Sequence, residues 1–531
     1  MTRPIDLIVV GSGFGGAVVA CRAAEAGARV LVLERGRRWT PDTYPRTFKD
    51  PWLFDAHRPR YCNGWLDVRV FPKMTVVQGA GVGGGSLCYS SVLLPATPDA
   101  FESGWPPEIT FRELQPYYER AAQMLQPAPV PDGQRSARFR LLQRAAAAAG
   151  LSEQFRPAPL AVSFDPNYSF DLPEPIHPRH THAFRNEHGR WQGTCVHLGN
   201  CDIGCDVRAK NTLDLNYLAV AENHGADIRP LHLVRFVEPG GRGYRVHVTQ
   251  LSSGATEVLE APKVVLAAGS LGTTEILLRS RDEYGTLPQI SPALGSGWSA
   301  NANVLTPAKY PNRNAVQQGI GPTISAILDF GDGPRQGQKF VVEDDGFPNV
   351  LLNTLRAKWS TRWGSSVAMS FPPLLRRGFG EKNPLANLMI WLGAGVDRSD
   401  GHLRLRRQWL TPWKRRLTLK WDAASALATV ETILQVHKEL TSRTGGRLQI
   451  PFYWRWFRHL VTVHPLGGSR ISQDVLSGVT NHFGEVFGYK GLFVCDGAAI
   501  PQAIGRNPSL TIAALAERSS HFLLHNSDHI T

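Results

Sequence analysis

The chain has 531 residues, 42% of them hydrophobic and 19% charged, a globular composition that is too long for one simple core and excludes collagen-like and disordered classes. Its net charge of +13 is concentrated locally, and its seven cysteines, an odd number, suit reduced thiols. No apolar run reaches the roughly 18 residues a spanning helix needs, and no signal-like segment precedes the first apolar run, so the expected location is the cytoplasm.

In chain order, Ile5 to Val10 is expected to form a strand that begins at once, and Arg29 to Glu34 a second. The small residues from Gly15 to Ala26 suit a helix packed closely on a sheet, which makes a βαβ start. The turn between them reads Gly11-Ser12-Gly13-Phe14-Gly15-Gly16. Gly11 allows a tight turn, Gly13 lets backbone approach a pyrophosphate, and Gly16 lets helix and strand pack closely. Phosphates would face the free N–H groups of the helix N-terminus. Glu34 follows about 20 residues on, placed to accept hydrogen bonds from an unphosphorylated ribose.

A second glycine cluster, Gly79-Ala80-Gly81-Val82-Gly83-Gly84-Gly85-Ser86, would let backbone lie against a flat or charged ligand. Cys195, Cys201 and Cys205, with His197, lack the CxxC spacing of common zinc or iron–sulfur sites. They read as a structural loop, and no metal is expected. Pro262 to Gly269 is a buried strand ending at glycine. Between Arg356 and Lys420 stand 14 basic and three acidic residues, which supply 11 of the 13 net charges. Tryptophans are interleaved there, a pattern suited to an anionic membrane surface. The other readings are a solvated face and, last, nucleic acid, which is not expected. His464-Pro465-Leu466-Gly467-Gly468 and Gly505-Arg506-Asn507-Pro508 can bring an imidazole and an amide to one site, where they would handle a hydroxyl group. Gly491 to Gly497 is a further buried strand, and Thr511 to Leu523 a closing helix.

These segments together resemble the glucose–methanol–choline oxidoreductases, and within that family are most similar to the bacterial cholesterol oxidases with noncovalent FAD. The resemblance rests on Gly11–Gly16, Gly81–Leu87, Ala209–Leu218, Ala268–Glu275, Gly297–Asn301, His464–Gly468, Asp496-Gly497 and Asn507-Pro508, in the family's order. It implies FAD, with the pyrophosphate at Gly11–Gly16 and ribose at Glu34. Gly83–Ser86 would run along the flavin, Val234 would contact adenine, and Gly269, Asp496, Gly497 and Pro508 would lie near the cofactor. It implies hydride transfer from an alcohol carbon to flavin, with His464 taking or polarising the hydroxyl proton and Asn507 positioning the oxygen. Glu343 is the implied carboxylate that moves a proton across a steroid; its other reading is a solvated acidic turn. The implied substrate is a sterol or 3-hydroxysteroid, and the electron acceptor O2 or another carrier. The rival readings are a dehydrogenase of another bulky apolar alcohol, long-chain or terpenoid, and a non-catalytic flavin-binding protein at a membrane. Three departures bear on O2 and substrate: Tyr89-Ser90-Ser91-Val92, Val463 and Ser509 stand where those enzymes have other residues.

The fold class expected is α/β (α+β overall). A Rossmann-like FAD-binding domain would be formed from 1–108, 194–300 and 462–531. A discontinuous substrate domain of 109–193 and 301–461 would be inserted in it, built on a mixed or antiparallel sheet with helices. A basic, Trp-rich insertion is expected near 351–387.

Overall fold

In a computed structural model of the chain, residues 4–525 are described apart from 48, 60, 312–314, 334, 349–386 and 408–414. The Trp-rich insertion near 351–387 thus lies outside the described residues, save for Asn387, as do Trp409, Trp413 and Lys414.

The N-terminal apolar runs form β1 (Leu7–Val10) and β2 (Val30–Leu33), joined by α1 (Phe14–Glu25). All eight strand residues are buried, as a parallel sheet covered on both faces requires. β1 is central. The strand order is Leu492–Val494, Lys263–Leu266, β1, β2, Asp227–Arg229, and every pairing is parallel. The strands of this nucleotide-binding sheet therefore come from three distant stretches of sequence. Helix α1 and the C-terminal helix Ser509–His525 pack on each other and cover it.

Two glycines permit that packing. Gly11 has φ +98°, and a Cβ there would lie 2.3 Å from the Ala267 carbonyl oxygen. A Cβ on Gly15 would lie 1.6 Å from the Cys495 oxygen. The helix start can meet the strand ends only because both positions lack a side chain.

A second sheet has six strands, all antiparallel. Their order is Arg447–Leu448, Val304–Lys309, Leu388–Gly395, Phe340–Asp345, Ala326–Asp329, Phe155–Pro157. Its two faces have separate tasks, set by the period of two along each strand. Phe340, Val342 and Asp344 belong to the side covered by helices Ala137–Ala148 and Leu427–Arg443. Val341 lies on the opposite side with Ile327, Leu392 and Ala394. Glu343 and Asp345 share that side by alternation. A four-stranded sheet runs in the order Leu460–Thr462, Met74–Gly79, Leu66–Phe71, Leu53–Phe54 and touches the six-stranded one through Leu460–Thr462. The expected α/β class with an antiparallel second sheet is what the chain adopts. Among the described residues no helix is long and apolar enough to cross a membrane.

Candidate active site

One cavity of about 500 Å³ reaches from the C-terminal end of β2 to the antiparallel sheet. At one end are Glu34, Val234 and Arg235. Gly11, Gly13, Phe14 and Gly15 follow, with Gly79, Gly84 and Gly85 opposite. Gly269, Asp496 and Gly497 come next. His464, Asn507 and Pro508 close the far end, beside Leu305, Ile324 and Leu392. Five of the residues singled out from the sequence do not line it: Gly16, Gly81, Gly83, Ser86 and Glu343. The first four support the wall instead. A Cβ on Gly16 would strike the Gly11 oxygen, and one on Gly81 the Trp39 ring. Ser86 Oγ donates to the Gly83 carbonyl (2.7 Å) and accepts from Leu213 N–H (3.1 Å).

The nucleotide end is open where a ligand backbone would pass. A Cβ on Gly13 would meet only Gly84 Cα, at 3.9 Å, and one on Gly85 would meet nothing within 4 Å. Glu34 accepts from Ser12 N–H (3.2 Å), Ser12 Oγ–H (2.7 Å) and Gly36 N–H (2.8 Å). A carboxylate has about four lone-pair sites, so it keeps capacity for a ribose hydroxyl. Asp496 accepts from Gly269 N–H, Thr273 Oγ–H and Ala498 N–H at 2.6–2.7 Å. Burial raises it to about 6 against those donors.

Sequence reasoning missed a charged network beside this end. Arg69 donates to Glu275 (2.6 Å), as does Arg279 (2.7 Å), while Asp67 takes Arg35 (2.6 Å). Burial pushes the Glu275 carboxyl up, but Arg69 and Arg279 outweigh it and bring it down to about 2. No local motif marks these residues, because the partners come from three separate segments.

At the far end, two asparagines from one short segment hold the His464 ring and the loop that carries Asn507. Asn303 Oδ1 accepts from Thr462 Oγ–H (2.9 Å) and Val463 N–H (3.2 Å). This turns the Asn303 amide nitrogen toward His464, 3.1 Å from Nδ1. An amide nitrogen only donates. Nδ1 therefore accepts, and the ring proton sits on Nε2. Burial lowers His464 to about 4, which keeps the ring neutral near pH 7 and agrees with an accepting Nδ1. Asn301, at φ +52°, a conformation asparagine tolerates better than most, fixes the other loop. Its side chain accepts from Gly505 N–H (2.9 Å) and donates to the Arg506 carbonyl (2.8 Å). Asn507 follows directly. It is buried, and its Oδ1 has no hydrogen-bond partner. Gly297–Asn301 carried the family resemblance without a role; Asn303 was not singled out at all.

Glu343 is not in a solvated acidic turn. It lies inside the strand Phe340–Asp345, fully buried, with both carboxylate oxygens unpartnered. Its cross-strand neighbours are Ile327 and Leu392. The sheet register puts it on the core-facing side, where the solvated reading is excluded. Burial raises its pKa to about 8. The nearby Asn507 amide opposes the rise without forming a well-aligned bond, and Asp344 adds to it. Of the departures noted above, Tyr89, Ser90, Val92, Val463 and Ser509 line the cavity, and Ser91 does not. Cys195, Cys201 and Cys205 are free thiols, and His197 pairs with Gln134 (Nε2 to Oε1, 3.0 Å). Among the described residues no three metal-ligating groups come together.

The cavity that begins at the nucleotide-binding sheet thus ends in a neutral histidine and an amide whose oxygen has no partner. The sequence pattern of GMC oxidoreductases matches residues 183–283 and 397–516, and that of an NAD(P)-binding Rossmann-like domain matches 9–70. The chain is 29% identical over 548 residues to a cholesterol oxidase of Acinetobacter baumannii, covering 98% of this chain and 94% of the relative. It is 29% identical over 551 residues to a cholesterol oxidase of Mycobacterium tuberculosis (98% and 91%). A long-chain-alcohol oxidase of Arabidopsis thaliana is 25% identical over 552 residues (96% and 66%). The solved pyridoxine 4-oxidase of Mesorbium loti shares the fold, with a TM-score of 0.65 at 16% identity, covering 99% and 100%. The chain belongs to the GMC oxidoreductase family and is a cholesterol oxidase-like, FAD-dependent oxidoreductase of alcohols.

Proposed function

We propose that this enzyme oxidises a sterol or 3-hydroxysteroid to the ketone, using FAD and passing electrons to O2 or another acceptor. The observation that supports it most is the meeting of His464 and Asn507 at the apolar end of a cavity that begins at Glu34. The residues present suit the cofactor: open space before Gly13 and Gly85, a carboxylate at the ribose position, and helix N–H groups between. Gly11, Gly13, Phe14, Gly15, Gly79, Gly84 and Gly85 would hold the phosphates and adjoining groups, and Val234 the adenine. Gly269, Asp496, Gly497 and Pro508 would flank the rest, with Gly16, Gly81, Gly83 and Ser86 shaping the loops behind. When bound, FAD supplies the hydride acceptor.

His464, with its proton on Nε2, donates to the substrate oxygen and polarises the hydroxyl. With Nδ1 held by Asn303 the ring has no free site for the proton, so of its two expected roles the polarising one is favoured, and the hydroxyl proton would leave to solvent water as the carbinol carbon gives up hydride. Asn507 orients the same oxygen. Glu343, unpartnered and readily protonated, is the proton-moving carboxylate; in a 5-ene-3-hydroxysteroid it would carry the proton that shifts the double bond. Leu305, Ile324 and Leu392 exclude water from the carbinol. Such a substrate barely dissolves in water, so the enzyme would work from the cytoplasm in peripheral contact with an anionic membrane. A second reading, a long-chain or terpenoid alcohol with an acceptor other than O2, draws on Ser90, Val92 and Ser509 at the cavity wall. Anaerobic flavin reduction by a panel of sterols and long-chain alcohols, followed by addition of O2, tests both. Reduction by no sterol in the panel refutes the first reading.

A further inference from the structure

The cavity has a polar pole that the oxidation of a hydroxyl group does not use. Asp202 and Asp345 both line it. Asp345 ends the strand Phe340–Asp345, on the same side as Glu343 by alternation. A buried arginine brings the two acids together. Arg138, 1% exposed, donates from one nitrogen to the carbonyls of Thr323 and Asp344, at 2.7 Å each. Asp202 reaches the same Thr323, whose hydroxyl lies beside its carboxyl. Ser90 Oγ–H donates to Asp202 (2.9 Å), and Ser90 is one of the residues in which this chain departs from the bacterial cholesterol oxidases. Asp345 accepts the N–H of its neighbour Gly346 (2.9 Å).

Two cations stand near, and both are already bonded elsewhere. Lys210 donates to the carbonyls of Leu87, Tyr89 and Cys201 (3.2, 2.8 and 2.6 Å), and an ammonium has three donors in all. Arg138 also donates to the carbonyls of Ile320 (3.0 Å) and Pro322 (2.8 Å). Among the described residues neither Asp202 nor Asp345 makes an ion pair. Burial raises both carboxyls, and the charge of Asp202 raises Asp345 further; Lys210 opposes this at Asp202, and Arg138 at both. Two acids so placed share a proton rather than both ionise. A carboxyl that keeps its proton offers one donor and further acceptors, which suits a hydroxyl and not a hydrocarbon. The Thr323 hydroxyl adds to this pole: the residue is 1% exposed, and its oxygen has no aligned hydrogen-bond partner. Unbonded polar groups in a buried wall are unfavourable until a ligand meets them.

We propose that Asp202 and Asp345 bind a second hydroxyl group of the substrate, so that the alcohol oxidised carries another polar group away from its reacting carbinol. Glu343 faces the Asn507 amide, and Asp345 lies two residues further along the strand, about 7 Å. The second hydroxyl therefore falls beyond the reacting ring, while Leu305, Ile324 and Leu392 cover the hydrocarbon between. This rests on the reading above that the substrate is a hydroxysteroid, and it narrows that reading away from sterols whose only polar group is the one oxidised. A substrate ammonium group is the competing occupant.

Anaerobic flavin reduction of the FAD-loaded enzyme tests it, with alcohols in matched pairs. One series is a 3-hydroxysteroid without and with a second hydroxyl on ring B, C or D, together with an amine analogue of each diol. The other is a straight-chain alcohol beside its diols. A hydrogen bond between a buried hydroxyl and a carboxyl contributes about 10–100-fold, so at least one steroid diol should exceed its monoalcohol by that factor in kcat/KM. Asp345→Leu and Asp202→Leu should each bring the ratio to about one, whatever the absolute rates, whereas Asp345→Asn, which still donates and accepts, should keep most of it. Steroid diols and monoalcohols used equally by wild type overturn the proposal and leave the steroid reading intact. A diol preference that survives Asp345→Leu also overturns it, as does a preference for the amine over the diol. If the Leu variants do not hold FAD, the wild-type ratios and Asp345→Asn decide. If no steroid reduces the flavin but a straight-chain diol is preferred in an Asp345-dependent way, the steroid reading fails and the acid pair stands. Reduction by neither series refutes both.

Discussion

Replacing Glu343 by Gln tests whether the protein holds a neutral carboxyl in its core. The side chain is fully buried with both oxygens unpartnered, and burial raises it from 4.5 to about 8. The native state thus keeps the proton up to about pH 8, whereas the unfolded chain releases it near 4.5. Where the native state binds more protons, stability falls as pH rises. The stability that neutral Glu343 confers is complete below pH 4.5 and is lost progressively as pH climbs to 8. One pK unit corresponds to about 1.36 kcal/mol. From pH 5.5 to 8 the wild type should therefore lose about 3–4 kcal/mol through this group, an upper bound if water enters the cavity. Gln has nearly the same shape and does not titrate, so Glu343→Gln should match wild type near pH 5.5 and exceed it above pH 8. With an unfolding entropy of roughly 2 cal/mol/K per residue, a chain of this size gives about 1 kcal/mol per degree. The melting-temperature advantage of the variant should then grow by about 3–4 °C across that range. Thermal unfolding of the FAD-loaded proteins, followed by flavin fluorescence, measures it. A difference that is constant between pH 5.5 and 9 would refute the neutral, buried carboxyl.

Other outcomes follow from the same geometry. His464→Ala should slow flavin reduction by about 10²–10⁴-fold, the usual range for acid–base and polarising groups, while leaving FAD bound; anaerobic stopped-flow within threefold of wild type would remove it from the site. Asn303→Ala should free the His464 ring, losing one hydrogen bond of about 1 kcal/mol, and slow reduction roughly fivefold or more. Because Nδ1 then lacks its donor, it should also raise the pH at which His464 protonates, so a pH–rate profile unchanged on its acid side would count against the positioning role. Gly15→Ala places a methyl 1.6 Å from the Cys495 oxygen and should yield protein that is unfolded or colourless; a yellow, stable variant would mean the helix start can shift. If a 5-ene-3-hydroxysteroid is a substrate, Glu343→Gln should let the unshifted 5-en-3-one accumulate, which product chromatography reads directly.

Much of the fold was legible because it is written locally. The Gly11–Gly16 turn, its flanking apolar strands and Glu34 lie within one βαβ unit, where turn chemistry and periodicity act over short separations. The α/β class, the flavin and the family all follow from segments of this kind. His464 and Asn507 were also visible, each carried by glycine and proline neighbours that constrain its own loop. What the sequence could not express is contact between distant segments. Asn303 and His464 are 161 residues apart, and only the crossing of two sheets gives the histidine its tautomer. Glu343 sits among acids that read equally as a turn; the antiparallel register alone turns it away from water and raises its pKa. The Arg69–Glu275 pair spans 206 residues and leaves no motif. Local sequence determined which backbone turns could form, since glycine and proline act on their own dihedral angles. The tertiary structure decided which side chains face one another, because burial and electrostatics depend on neighbours brought in from elsewhere in the chain.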